Sequence, residues 1–305
     1  MSPAGPPQGA QHRSPQGEGG PAATTARRRA SALVRAWRSA KVRYSLLLIL
    51  ALVLITLGAD WIAPRPHDAI DAGAAFQAPG HPYWLGSDAL GRDVLSRTLH
   101  GGRMSLVVGL LATALAVLLG VPPGALAGYL GGRVDWLISR VIDLLLPFPV
   151  ILLAIVTKML LGDGLVSVVL ALSLVLTPFF ARMARAKALS VAQLPFIEAA
   201  QGSGLGTGRI LLMHVFPHCL QPVLIMATLS VAFAILAEAS LSFLGLGLPP
   251  PAPSWGGDLQ AAMSGFQLAP WTVLAPGCAI TLAVLAFNFL GDGLRDVFDV
   301  GERFL

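Results

Sequence analysis

From Met104 to Gly132 the chain runs for 29 residues without a charged side chain. Similar runs recur: 17 residues at Leu165–Ala181, 19 at Cys219–Ala237 and 24 at Leu268–Gly291. A helix needs about 20 apolar residues to cross a hydrocarbon layer roughly 30 Å thick. Only helices or closed barrels satisfy their backbone polar groups inside lipid. Charged residues make up 12% of the chain against 55% hydrophobic ones. Soluble domains carry roughly 25% charged residues, and so few charges cannot cover a soluble surface. The sequence therefore predicts an all-α integral membrane protein and excludes a soluble two-domain enzyme.

Residues 1–43 predict a disordered basic tail. Ten of the first 21 residues are Gly or Pro, which leaves little from which to form a core. Eight cationic side chains from Arg13 to Arg43 then face one acid, Glu18. The basic stretch is too long for a secretory leader, and no small-residue cleavage site follows. The net charge of +5 resides in this tail, so it reports topology rather than nucleic-acid binding.

Six transmembrane helices are expected over 45–62, 104–128, 136–161, 165–184, 219–244 and 268–291, with a polar loop at 185–217 and the membrane domain occupying 44–305. Pro122-Pro123-Gly124 should break or end the second helix, and Pro147 and Pro149 should kink the third. With the N-terminus in the cytoplasm, the Arg182–Pro217 loop lies inside and carries Arg182, Arg185, Lys187 and Arg209 against Glu198. The segment Leu246–Ala269 lies outside and has no Lys or Arg. This bias agrees with the positive-inside rule and puts both termini in the cytoplasm.

The Glu198–Pro217 segment, EAAQGSGLGTGRILLMHVFP, is a polar loop held between two apolar runs. Ser190–Gly202 can form one helix, Gly204 a sharp turn and Arg209–Val215 a second short helix. Such a hook fits a groove on a soluble partner; the alternative is a helix lying on lipid headgroups. Gly202, Gly204, Gly206 and Gly208 do not make a phosphate loop, because no Lys-Ser or Lys-Thr follows them. His214 and His218 are four apart but have no third ligand nearby, so a polar rim is the simpler reading than a metal site. Cys219 and Cys278 define no disulfide framework.

Charged residues within the apolar runs need partners. Glu238 either lines a path or subunit contact, or is hydrogen-bonded near its helix end. Arg140 and Asp143 are spaced to pair with each other, while Asp60 and Lys158 can snorkel to an interface.

The loop resembles the cytoplasmic EAA loop of permease subunits from bacterial ATP-binding-cassette importers, matching at Glu198, Ala199, Ala200, Gly204 and Pro217. It departs at His214, where Ile is usual, and at Phe216, where Leu is usual. The segments Leu85–Arg97, Gly101–Leu110, Gly128–Asp135, Ile235–Gly256 and Asn288–Asp299 are similar to the C-type permease subunit of dipeptide, oligopeptide and nickel importers. That resemblance implies the type I permease fold and a docking set of Glu198, Ala199, Ala200, Gly204, His214 and Pro217. It implies three kinds of partner: a second homologous permease subunit, two cytoplasmic ATP-binding subunits and an extracytoplasmic substrate-binding protein. The cargo would be a peptide, with nickel or glutathione as alternatives. No residue of the chain would be catalytic and no cofactor or metal would be held. Two other classes stand against it: an ion-coupled secondary transporter using Glu238, and a membrane scaffold.

Overall fold

The computed structural model describes residues 39–302, with side chains through Phe298. Most of the expected N-terminal tail lies outside the described residues. Eleven α-helices occur among the described residues, which contain isolated bridges but no named strand. They are α1 Ala40–Leu57, α2 Ala59–Ile62, α3 Val94–Leu130, α4 Gly132–Leu145, α5 Val150–Leu161, α6 Leu165–Ala192, α7 Pro195–Gly202, α8 Thr207–Ile210, α9 Phe216–Phe243, α10 Trp255–Ala262 and α11 Trp271–Glu302. The first helix begins at Ala40, so residues 40–43 join it rather than the tail.

Five helices are long and apolar enough to cross a membrane, or six if the bent pair α4–α5 counts as one span. That pair turns by 92°. Pro147 and Pro149 lie at the turn, which is a break and not the gentle kink expected from the sequence. The first arm, α4, is amphipathic, while α5 is only 12 residues long, about 18 Å.

The expected break at Pro122-Pro123 does not occur. Helix α3 runs unbroken for 37 residues with both prolines inside it, a length of about 55 Å. Its packing explains why. Ala112, Ala116, Gly120, Gly124 and Gly128 recur every fourth residue and are all buried. A side chain on Gly124 would collide with the Ala181 carbonyl of α6, and one on Gly128 with the Arg185 carbonyl. Helices in lipid gain little from apolar burial against each other, so close backbone approach through small residues supplies their attraction. Here that approach keeps α3 unbroken against α6 where the prolines remove two hydrogen bonds.

Two groups of contacts define the ends of the bundle. At one end, which we call the cap, residues 63–93 fold back over the start of α3. Asp93 caps that helix by accepting from the Ser96 N–H at 2.7 Å. Arg97 donates to Asp258 of α10 at 2.8 Å, and the pair is nearly buried. Trp255, 1% exposed, donates its indole N–H to the Thr98 carbonyl at 2.9 Å. The proline-rich segment after α9 is non-helical, and Ser254 then caps α10 by accepting from the Gly257 N–H.

At the other end, the hook end, α4 is tied to α6 by two ion pairs. Arg185 donates to Asp135 at 2.6 Å, and Arg182 to Asp143 at 2.7 Å. Asp143 thus does not pair with Arg140, which lies over the Trp136 ring at 5.9 Å. Arg182 captures the carboxylate because α4 lies across α6. Of the two residues expected to snorkel, Lys158 pairs with Asp163 at 2.9 Å and Asp60 with Arg103 at 3.1 Å.

Gly124→Val should cost roughly 1–3 kcal/mol by overpacking against the α6 backbone, whereas Gly277→Val, with open space around its Cα, should cost far less. Thermal unfolding of the detergent-solubilised protein measures the difference.

Candidate functional site

The hook is a helix–turn–helix joining α6 to α9. Helix α6 stops at Ala192, and Leu194 is extended with φ −82° and ψ 140°. A continuous Ser190–Gly202 helix is therefore not formed. The following Pro195 disfavours helical geometry at Leu194 and serves as the first residue of α7, a position where its missing N–H costs nothing.

Helix α7 ends in a Schellman turn. Gly204 adopts φ +77°. Its N–H donates to the Gln201 carbonyl at 2.9 Å, and the Leu205 N–H reaches back to the Ala200 carbonyl at 3.2 Å. These are the two bonds of that motif, with glycine at the left-handed position. Gly204 is needed for its backbone, since a side chain there would meet nothing.

The second arm is not a separate short helix over Arg209–Val215. Helix α8 passes through a π-turn at Leu211–Val215, where the Phe216 N–H bonds to the Leu211 carbonyl, and continues into α9. Thr207–Phe243 is one long helical run. The wider turn accommodates Pro217 without ending the helix.

Three apolar side chains bind the hook to the bundle: Ile197 of α7, Ile210 of α8 and Val215 of the π-turn. Each is 0–1% exposed. They join one cluster with Val121 and Ala125 of α3 and with Phe180, Ala188 and Val191 of α6. Burying each contributes about 1.5–3 kcal/mol. The sequence reading missed them, although Ile197 directly precedes Glu198.

The outward side of the hook differs in kind. Glu198 and Ala199 are exposed on the first turns of α7, and Gly202, Gly206, Gly208 and Arg209 are exposed beyond it. A side chain on any of those three glycines would meet nothing within 4 Å. Nothing among the described residues requires glycine there, and the backbone is left bare at this surface. Ala200 is half-buried and packs on the core. His214 and Pro217 are also half-buried. Phe196 faces His214 at 6.1 Å and stacks on His218 at 5.5 Å, locking α7 to the start of α9. His214 thus packs beside Phe196 while remaining half-buried. Among the described residues, no group of three or more His, Cys, Asp or Glu gathers for a metal.

Glu238 lies far from the hook. It is 1% exposed and accepts from Ser105 of α3 at 2.9 Å and from Ser242 at 2.7 Å. Ser105 also accepts from the Trp255 N–H at 3.4 Å. The carboxyl joins α3, α9 and the start of α10.

Residues 120–303 match the family described as the binding-protein-dependent transport system inner membrane component. The dipeptide transport system permease protein DppC of Alkalihalophilus pseudofirmus is 41% identical over 254 residues, covering 83% of this chain and 84% of the relative. The chain belongs to this permease family. A putative peptide permease of Brucella ovis is 44% identical over 242 residues, covering 78% of this chain and 80% of that one. The glutathione transport system permease protein GsiD of Pectobacterium atrosepticum is 40% identical over 256 residues, covering 83% and 84%. Inward-facing structures of the MetNI methionine ABC transporter share the fold, with a TM-score of 0.53 at 20% identity, covering 67% of this chain and 97% of the solved one. The permease's hook falls wholly inside the family match, as do α4–α11, while the cap segment 63–93 precedes it.

In this permease Gly204→Ala should destabilise the hook by about 1 kcal/mol, because alanine resists the left-handed backbone. Gly208→Ala, within α8, should be neutral or slightly stabilising. Hydrogen exchange across residues 195–215 distinguishes them: faster exchange is expected only for the first.

Proposed function

We propose that this permease subunit carries peptides across the bacterial cytoplasmic membrane, driven by ATP hydrolysed on other subunits. The hook end faces the cytoplasm, as do both termini, and the cap faces outward. The chain pairs with a second homologous permease subunit. Two cytoplasmic ATP-binding subunits attach below, and an extracytoplasmic substrate-binding protein delivers cargo to the cap.

The single observation carrying this reading is the two-sided construction of the hook. Its inner side shares a core with α3 and α6 through Ile197, Ile210 and Val215. Its outer side offers Glu198, Ala199, Gly202, Gly204, Gly206 and Gly208 with little side-chain bulk. A lipid-lying helix would show an apolar face to the membrane, and these residues do not form one. An ATP-binding subunit moving against the outer side would drag α3 and α6 with it, because the buried anchors leave no slack. Rocking of those helices opens the path alternately to either side. The chain itself is non-catalytic.

Relatives named for dipeptides and peptides favour peptide cargo, and the relative named for glutathione supports that small peptide as a second reading. The geometry around Glu238 supports a joint between helices over an ion-coupling carboxylate, since both its oxygens are engaged by serine hydroxyls. Glu238→Gln should accordingly leave ATP dependence of uptake intact.

Gly208→Leu and Ala199→Trp should insert normally yet lose ATP-binding subunits on co-purification and lose peptide uptake. Gly204→Asp and bulky replacements of Ala200 should do the same while also loosening the hook. Normal uptake in the first two variants refutes docking at this surface. Alone, the purified chain should hydrolyse no ATP; measurable turnover contradicts the non-catalytic assignment.

A further inference from the structure

At the cap, two histidines stack. The rings of His67, in the cap segment, and His100, on α3, lie 4.7 Å apart and 27° from parallel. The His100 Nδ1 faces the Ser96 carbonyl at 2.8 Å, and its Nε2 faces the Asp60 carboxylate at 3.0 Å. Both partners accept hydrogen bonds and neither donates. A ring with one N–H donates to one of them at a time. Asp60 is ionised in this setting. The His100 hydrogen bond, followed by that of Arg103, holds its carboxyl below the usual carboxylate range.

His67 is the opposite case. Burial, and next the neighbouring His100, push it below its ordinary value. Arg97, which donates to the His67 carbonyl at 3.3 Å, acts in the same direction, while Asp68 and Asp60 oppose it. With His67 neutral, its ring stacks on that of His100 without adding charge beside it. Protons on both rings would set two cations 4.7 Å apart, with Arg97 and Arg103 on the same helix adding to the repulsion.

The cap end of the first helix rests on this cluster, while the rest of that helix packs against α11. Only 17% of its apolar window is buried. At its cap end, Arg103 donates to the Leu57 carbonyl at 2.9 Å and to Asp60 at 3.1 Å, beside the His100–Asp60 bond. Gly102 admits Thr56 in close approach. We infer that Asp60, His67, His100 and Arg103 form a pH-responsive clasp that fastens the cap end of the first helix to α3 when His67 is neutral and releases that end when His67 takes up a proton.

The sign follows from linkage. His67 is lowered in the closed clasp, so the closed state is fully favoured above the ordinary histidine value of about 6.5. It is lost as pH falls through the lowered one. His67 and Asp68 retain side-chain exposure of 32% and 60%, so the cluster is open to the adjoining solution. The clasp does not depend on the assignment of sides. Only the compartment whose pH it reads rests on the cap facing outward.

The test is hydrogen exchange of residues 57–68 in the assembled transporter, in lipid nanodiscs, corrected for the intrinsic pH dependence of exchange. Between about pH 7.5 and about pH 5.5, opening should rise by up to about tenfold per pH unit, one proton being taken up. His67→Phe keeps a stacking ring without a titrating nitrogen and should show protection flat with pH. His100→Phe, which cannot donate to Asp60, should be poorly protected at both ends of the range. If His67→Phe fails to assemble, His67→Gln replaces it. Wild-type protection that does not change with pH overturns the proposal, as does a full pH response in the His67 variant. A failure of hook docking would leave these outcomes unchanged.

Discussion

The contact between α3 and α6 is the constraint on which the rest of the permease depends. Small residues every fourth position on α3 let two helical backbones approach until carbonyls of α6 fill the space that side chains would take. Lipid offers helices no hydrophobic drive to associate, so this shape match is what binds them. The same pair supplies the wall into which Ile197, Ile210 and Val215 insert. The hook is therefore an outgrowth of the central helix pair, not an appended loop. A displacement at its exposed side reaches membrane depth through packed side chains.

The two ends of the bundle use different chemistry. At the hook end the exposed surface is nearly bare backbone, supported from behind by apolar anchors and a Schellman turn. At the cap end the elements are sewn together by charges and hydroxyls: Arg97 with Asp258, Glu238 with two serines, and the His67–His100 stack. Buried charges of this kind are expensive unless fully partnered. At the cap they add to close packing such as that of Gly256 against the Ala239 backbone. Their concentration there also makes the cap the end sensitive to protons, whereas the hook is governed by shape.

Much of the architecture could be read from the residues. Charge-free runs gave the apolar helices, and Gly204 was assigned its turn from the spacing alone. Where the reading failed, partners remote in sequence decided the outcome. Pro122 and Pro123 should have broken or ended α3, but the glycine ladder facing α6 keeps it continuous. The ladder's period of four was visible, yet its meaning required knowing which helix it meets. Arg140 and Asp143 satisfy the local pairing rule, but Arg182, some 40 residues onward, takes the carboxylate. The hook's second arm merged with α9 because a π-turn absorbs Pro217, an option that local propensity does not rank.

A photoreactive residue at position 199, on the exposed side of α7, tests the central claim most directly. In the assembled transporter it should yield adducts with an ATP-binding subunit, in a yield that changes when ATP is bound. Adducts confined to lipid, or adducts indifferent to nucleotide, would contradict the account.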